Sequence, residues 1–128
     1  LCRDWIAENY GSHASTFGGN PVVAAAAEAT VSTIRETNLP AHADATGEYL
    51  RDQLERELGD SVREVRGTGL MVGIELKGNA GSVARELAIE HQVLVLTAGR
   101  TVVRLLPPLV VTEEDIDRAV DALAEVIG

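Results

Sequence analysis

The spacing of apolar residues changes at Gly59, and this change limits the folds that the chain can adopt. Between positions 50 and 58, leucines recur every four residues, which places them on one face of a helix that follows the break at Pro40. Beyond Gly59 the apolar runs are short, and residues 62–65 and 70–76 predict two strands joined by a glycine-containing turn. Because the apolar residues follow a helical spacing in one part of the chain and form short strand-like runs in another, we expect helices and strands to pack in layers.

The remaining segments predict further helices and strands. Asn20 is a favourable N-cap and a proline follows it, so we expect a helix over the alanine-rich segment 21–36. Residues 82–91 carry apolar residues at helical spacing and predict another helix. Short apolar runs at 93–96 and 102–106 predict two more strands.

Local signals near the C-terminus separate the last strand from the last helix. Pro107 and Pro108 cannot donate to a strand ladder, so they end the strand before them. Thr112 and Asp115 have the spacing of a capping box and predict the start of an amphipathic helix. Residues 1–9 also show helical spacing. The order of elements predicts an α+β fold with a small mixed or antiparallel sheet covered by helices.

The composition narrows the classes of function. The 128 residues, 45% of them hydrophobic, are enough for one modest core. The 20 acidic and 11 basic residues give a net charge of −9, which would repel nucleic acid and anionic lipid, so we expect neither as a partner. We find no membrane span or targeting segment and expect a cytoplasmic protein. A single cysteine, Cys2, and three scattered histidines predict no metal site.

The segment STFGGNP, directly ahead of the alanine-rich run, has the residues of an anion-binding loop. Ser15 and Thr16 offer hydroxyl groups, and Gly18 and Gly19 allow a ligand to approach the backbone. The helix that begins near Asn20 adds unpaired N–H groups and a partial positive charge. A phosphate would suit this loop. The same residue types are also common in ordinary loops and helix caps, so the pattern alone leaves both interpretations open.

Three motifs together resemble the class III aminotransferases, which use pyridoxal 5′-phosphate (PLP). They are GSHASTFGGNP followed by the alanine-rich helix, VRGTGLMVGIEL, and VVRLLPPLVVTEEDI, in the order and spacing of that family. The acetylornithine and ornithine aminotransferase branch is the most similar. The resemblance covers essentially the whole chain and implies that residues 1–37 end a large cofactor-binding domain. Residues 38–128 would then form the small C-terminal α+β domain of a fold-type I PLP-dependent transferase.

The same resemblance implies roles for three residues. The hydroxyl of Thr16, assisted by Ser15, would bind the cofactor phosphate of the neighbouring subunit, so that a homodimer shares each active site. Arg104 would pair with a substrate carboxylate, which suits a planar guanidinium because it can donate two parallel hydrogen bonds. Without the resemblance, the favoured interpretation of Arg104 is an edge-strand residue that is solvated or held in a structural ion pair. Arg66 resembles a residue of mainly structural importance in a tight turn.

The implied reaction is transfer of an ω-amino group from an acetylornithine-like or ornithine-like donor to 2-oxoglutarate. The family requires a lysine that binds the cofactor covalently, and the only lysine in the chain is Lys77, in the polar segment ELKGNAG. We expect Lys77 to be solvated and assign no catalytic residue to this chain, so the isolated chain is expected to be inactive. A second hypothesis is a freestanding α+β interaction module that binds an anion or carboxylate ligand without catalysis.

Overall fold

The computed structural model describes residues 15–128, and the chain divides in sequence into two compact units, 1–37 and 38–128. Each unit is described by itself. The helix expected at 1–9 lies outside the described residues.

In the first unit, helix α1 spans Pro21–Glu36 and begins as the sequence predicts. The Asn20 side chain accepts a hydrogen bond from the Val23 amide at 3.0 Å, and Pro21 occupies the first turn. Asn20 also donates from Nδ2 to the Phe17 carbonyl at 2.8 Å, which ties the preceding loop to the helix start. Among the described residues, none of those in α1 is buried. Local signals therefore account for this helix.

The second unit contains three helices and four strands. The helices are α2 (Leu39–Leu58), α3 (Ala80–Glu90) and α4 (Glu113–Ile127), and a short 3₁₀ turn at Gly59–Ser61 follows α2. The strands are β1 (Val62–Thr68), β2 (Met71–Leu76), β3 (Leu96–Ala98) and β4 (Val102–Leu105). The α+β fold class is confirmed.

The four strands form one sheet in the order β1-β2-β4-β3, and every neighbouring pair is antiparallel. A two-residue turn joins β1 to β2, since Thr68 pairs with Met71. Gly69 begins this turn with a φ of 51°, a left-handed conformation that glycine adopts at little cost. Pairing of β2 with β4 places Gly73 opposite Arg104. This register determines which side chains share a face.

The core of the second unit lies between one face of the sheet and its helices. Buried residues alternate along β2 and β4, as expected for strands with only one face in a core. Helix α2 contributes leucines that recur at helical spacing. The buried apolar residues are Leu50, Leu54, Leu58, Val62, Leu70, Val72, Ile74, Leu76, Ala80, Leu87, Val103, Leu105, Val111, Ile116, Val120, Ala122 and Leu123.

The position of β3 corrects the sequence-based prediction. The strand expected at 93–96 lies instead at Leu96–Ala98. The amide of Val93 donates to the Leu87 carbonyl at 3.0 Å, so it completes the end of α3 rather than a ladder. Val93 and Val95 pack against the core without strand pairing, which explains why their alternating pattern resembled a strand.

One prediction about an individual side chain is also wrong. Arg66 lies within β1, because the turn occupies only residues 69–70. The side chain of Phe17 is 79% exposed. The loop is ordered by the hydrogen bonds of Asn20, so no aromatic contact is needed to shape it.

Candidate functional site

The loop before α1 presents two hydroxyl groups at the positive end of a helix. Ser15 and Thr16 are both exposed, as are the two glycines that follow. Gly19 has a φ of 76°, and a Cβ built there would meet nothing within 4 Å. A larger residue at this position would therefore be disfavoured by the backbone conformation and not by steric overlap. Gly18 has less free space around it, because a Cβ there would lie 3.1 Å from the Ser15 Cβ.

The donor groups of this loop suit a phosphate. Hydroxyl donors and the unpaired N–H groups of a helix start favour an anion, and the helix dipole adds a partial positive charge. Two backbone positions of this helix start offer no free N–H group, because Pro21 has none and the Val23 amide donates to Asn20. The exposed hydroxyls of Ser15 and Thr16 are the side-chain donors that the loop adds. The chemistry of this loop therefore suits an anion such as a phosphate.

Arg104 lies in β4 of the second unit, on the face of the sheet that points away from its helices. Its neighbours Val103 and Leu105 are buried, so strand alternation places Arg104 on the opposite face. We call this surface the outer face, and it carries Glu64, Arg66, Gly73, Glu75, Leu96, Ala98, Val102 and Arg104. Leu96 and Gly73 flank Arg104 on the two neighbouring strands.

The guanidinium of Arg104 has an unsatisfied donor. Its Nε is buried and has no hydrogen-bond partner in the described part of the chain. An unpaired buried donor costs on the order of 1–3 kcal/mol, and more for a charged group, so such atoms need an explanation. A carboxylate ligand that shifts the side chain would satisfy this donor.

A second arginine on the outer face is bound to carboxylates. Arg66 donates from Nη1 to Glu64 at 2.7 Å and to Glu75 at 2.9 Å. Hydrogen bonding to Glu75, reinforced by the charge of Glu64, raises the pKa of Arg66 above its ordinary value. Arg63 lies 3.8 Å from the other oxygen of Glu75.

Lys77 is exposed, and its Nζ donates to the Asp60 carbonyl. This contact joins the start of the loop after β2 to the turn after α2. The solvated position expected from the sequence is confirmed.

The structure places the three predicted site residues in different units. Ser15 and Thr16 lie together before α1 in the first unit, and Arg104 lies in the second. The sequence did not reveal that Arg66 and Arg104 face the same side of the sheet across Gly73. Counting residues outward from the 69–70 turn would have placed Arg66 opposite Gly73. The sequence did not indicate that β4 is the other neighbour of β2, so the position of Arg104 opposite Gly73 could not be derived.

A separate cleft of about 550 Å³ lies between α2, α4 and the segments around β4. Its walls are mostly apolar, and Arg104 does not line it. The cleft is thus distinct from the outer face. In residues 15–128 no cluster of three potential metal ligands occurs, and no helix there is long and apolar enough to cross a membrane.

These features define an α+β chain with a hydroxyl-rich helix start and an under-paired strand arginine. The family described as aminotransferase class-III matches residues 1–127, so the chain belongs to the class-III aminotransferases.

The chain is similar to proteins of known name in that family. It is 45% identical over 120 residues to an acetylornithine aminotransferase of Methanothermobacter thermautotrophicus, covering 92% of this chain and 30% of that protein. It is 41% identical over 120 residues to an ornithine aminotransferase of Exiguobacterium, covering 94% of this chain and 30% of that protein.

A solved ornithine aminotransferase from Plasmodium yoelii has a similar fold. It superposes with a TM-score of 0.82 at 32% identity, covering 91% of this chain and 32% of that chain. The sequence described here therefore spans about a third of the length of these relatives.

Proposed function

We propose that this chain is the C-terminal part of a PLP-dependent aminotransferase. The enzyme would transfer an ω-amino group from an acetylornithine-like or ornithine-like donor to 2-oxoglutarate. Family membership and the names of the relatives support this reaction class. The observation that carries the site assignment is the buried, unpaired Nε of Arg104.

Arg104 would bind the carboxylate of the amino-acid substrate. A guanidinium donates two parallel hydrogen bonds to a carboxylate and so fixes both the position and the orientation of the substrate. Its place in β4, between two paired strands, holds the backbone of Arg104 rigidly. The chain would thus contribute substrate binding and orientation.

Thr16, assisted by Ser15, would bind the phosphate of PLP in the neighbouring subunit of a homodimer. The exposure of both hydroxyls at the start of α1 supports a role toward a group outside this segment. PLP, when bound, supplies the electron-withdrawing ring that makes amino transfer possible.

This chain provides no lysine suited to bind the cofactor covalently, since Lys77 is exposed and donates to the Asp60 carbonyl. We therefore expect the 128-residue chain alone to show no amino transfer.

A chimera tests the proposal most directly. The corresponding third of the Methanothermobacter thermautotrophicus relative would be replaced by this chain, and transfer from acetylornithine to 2-oxoglutarate would be measured. We expect an active chimera. Arg104→Lys should lower kcat/KM by about 100-fold, because the bidentate pairing of a partly buried charge is lost.

Thr16→Val in the same chimera should weaken PLP binding by about tenfold, since one charge-assisted hydrogen bond is removed. Glu28→Gln, on an exposed part of α1, is a matched surface control and should leave both quantities unchanged. Full activity of the Arg104→Lys chimera would contradict the proposed carboxylate site.

The second candidate, an interaction module that binds an anion without catalysis, makes a different prediction. It predicts that the chimera binds a carboxylate or a phosphate but does not transfer the amino group. The match of the family across residues 1–127 favours the enzyme.

A further inference from the structure

Two arginines on the outer face lie at equivalent distances in register from a single carboxylate. Gly73 pairs with Arg66 on one side and with Arg104 on the other. Glu75 lies two residues further along β2 and points to the same face. It is therefore a diagonal neighbour of both arginines, and diagonal positions are about 7–8 Å apart, within reach of long side chains.

In the structure Glu75 binds the arginine of β1. Its Oε2 accepts from Arg66 at 2.9 Å, and its Oε1 has the longer 3.8 Å contact with Arg63. No ion pair between described residues includes Arg104. Glu75, whose carboxylate could have paired with Arg104, is thus bound to Arg66 instead.

The space between the two arginines is kept open by Gly73. A Cβ at this position would make only ordinary contacts, 3.5 Å from Val102 and 3.9 Å from the Arg66 carbonyl. Packing therefore does not require glycine there. Its consequence is that the β2 position paired with both Arg66 and Arg104 carries no side chain.

We propose that Arg66 is a positioning residue for the carboxylate site of Arg104. By binding Glu75, Arg66 keeps this carboxylate from pairing with Arg104 and leaves the Arg104 guanidinium available to an anionic ligand. The inference rests on the proposed role of Arg104 and adds a residue to it. Its physical basis is effective concentration, because a carboxylate on the adjacent strand would outcompete a dissolved one.

The matched control is Arg63, which lies on the same strand and carries the same charge. Arg63→Gln and Arg66→Gln change the net charge equally, so long-range electrostatics cannot distinguish them. Only Arg66 has a short hydrogen bond to Glu75. A difference between the two variants therefore reports on the position of Glu75.

The experiment follows the ¹H–¹⁵N resonance of Arg104 Nε in the 128-residue chain by NMR, with Arg104→Lys to assign it. Glutarate, a dicarboxylate, is the probe ligand. In Arg66→Gln we expect the Arg104 resonance to shift before any ligand is added, because Glu75 now pairs with Arg104. The affinity for glutarate should fall about three- to tenfold.

The double variant Arg66→Gln/Glu75→Gln should return both the resonance and the affinity to wild-type values. Arg63→Gln should change the affinity by less than about twofold. Glu75→Gln alone should leave the Arg104 resonance in place, since Glu75 does not contact it in the wild-type chain. This last variant retains every arginine, and a changed Arg104 resonance in it would show that Glu75 already contacts Arg104, which would overturn the inference even if Arg66→Gln fails to fold.

The outcomes separate this inference from the proposed function. An Arg104 resonance that responds to glutarate but is unaffected by Arg66→Gln overturns the inference and leaves the carboxylate site intact. An Arg63→Gln effect as large as that of Arg66→Gln also overturns it. An Arg104 resonance that ignores glutarate in the wild-type chain contradicts the proposed function itself.

Discussion

Helix α1 and the second unit are ordered in different ways. None of the residues of α1 is buried in the described part of the chain, and its valines at 22, 23 and 31 are more than half exposed. In the second unit a continuous apolar core joins three helices to a sheet. The order of α1 depends on local helix propensity and capping, whereas the order of the second unit depends on tertiary packing. Mutations should therefore act locally in α1 and cooperatively in the second unit.

The comparison also bears on function. The hydroxyls proposed to bind phosphate lie at the start of the helix with exposed apolar residues, whereas Arg104 lies in a sheet that packing holds rigid. We proposed that the phosphate site is completed by a neighbouring subunit. Apolar residues left exposed on α1 are consistent with a surface that further protein covers.

Truncation of a core leucine should have the largest effect. Leu54 is 0% exposed, so Leu54→Ala should lower the free energy of unfolding by about 2–5 kcal/mol through lost burial and a residual cavity. Val31→Ala, an apolar truncation on α1 at a residue 54% exposed, should change it by less than about 0.5 kcal/mol.

Urea unfolding followed by circular dichroism measures both variants. Equal destabilisation by the two would contradict the distinction between α1 and the second unit. It would show instead that Val31 packs against a partner in solution.

Addition of one methyl group where α2 meets the sheet should have an intermediate effect. A Cβ at Gly47 would overlap severely with the backbone carbonyl of Gly69. Gly47→Ala should therefore destabilise the chain by about 1–3 kcal/mol, although alanine has the better helix propensity. Gly78→Ala is the control, because a Cβ there meets nothing within 4 Å.

Thermal unfolding compares these two variants. If Gly47→Ala is as stable as Gly78→Ala, α2 can move away from the β1–β2 turn at little cost. The close packing of the second unit would then be less restrictive than the structure indicates.

Removal of one N-cap from each unit should have the smallest effect on stability, and the two effects should differ clearly in location. Asn20→Ala and Thr112→Ala each remove a side-chain acceptor from a helix start, worth about 1 kcal/mol. We expect Asn20→Ala to speed hydrogen exchange within α1 only. Thr112→Ala should shift the unfolding of the whole second unit, because α4 packs into its core.

The two caps should also respond differently to acid. Hydrogen bonds from the Thr112 side chain and backbone lower the pKa of Asp115 below its ordinary value of 3.8. The stabilising effect of this carboxylate is complete above pH 3.8 and is lost as the pH falls through the lower folded-state value. The effect of Thr112→Ala should shrink in that range, whereas that of Asn20→Ala should not, since asparagine does not titrate. Equal pH profiles would contradict this explanation of the capping box.

The sequence by itself determined features that depend on neighbours a few residues away. Asn20 and Pro21 located the start of α1, and Thr112 with Asp115 located that of α4, because capping bonds span about three residues. The change of hydrophobic period at Gly59 was enough to assign the fold class.

Only the tertiary structure decided which distant residues meet. The alternation of Val93 and Val95 resembled a strand, but the Val93 amide was taken by the end of α3. The pairing of β2 with β4 placed Arg104 across Gly73 from Arg66 and made Glu75 a diagonal neighbour of both, and the hydrogen bond of Glu75 is to Arg66. Such contacts depend on how segments tens of residues apart pack together, and no local pattern encodes that arrangement.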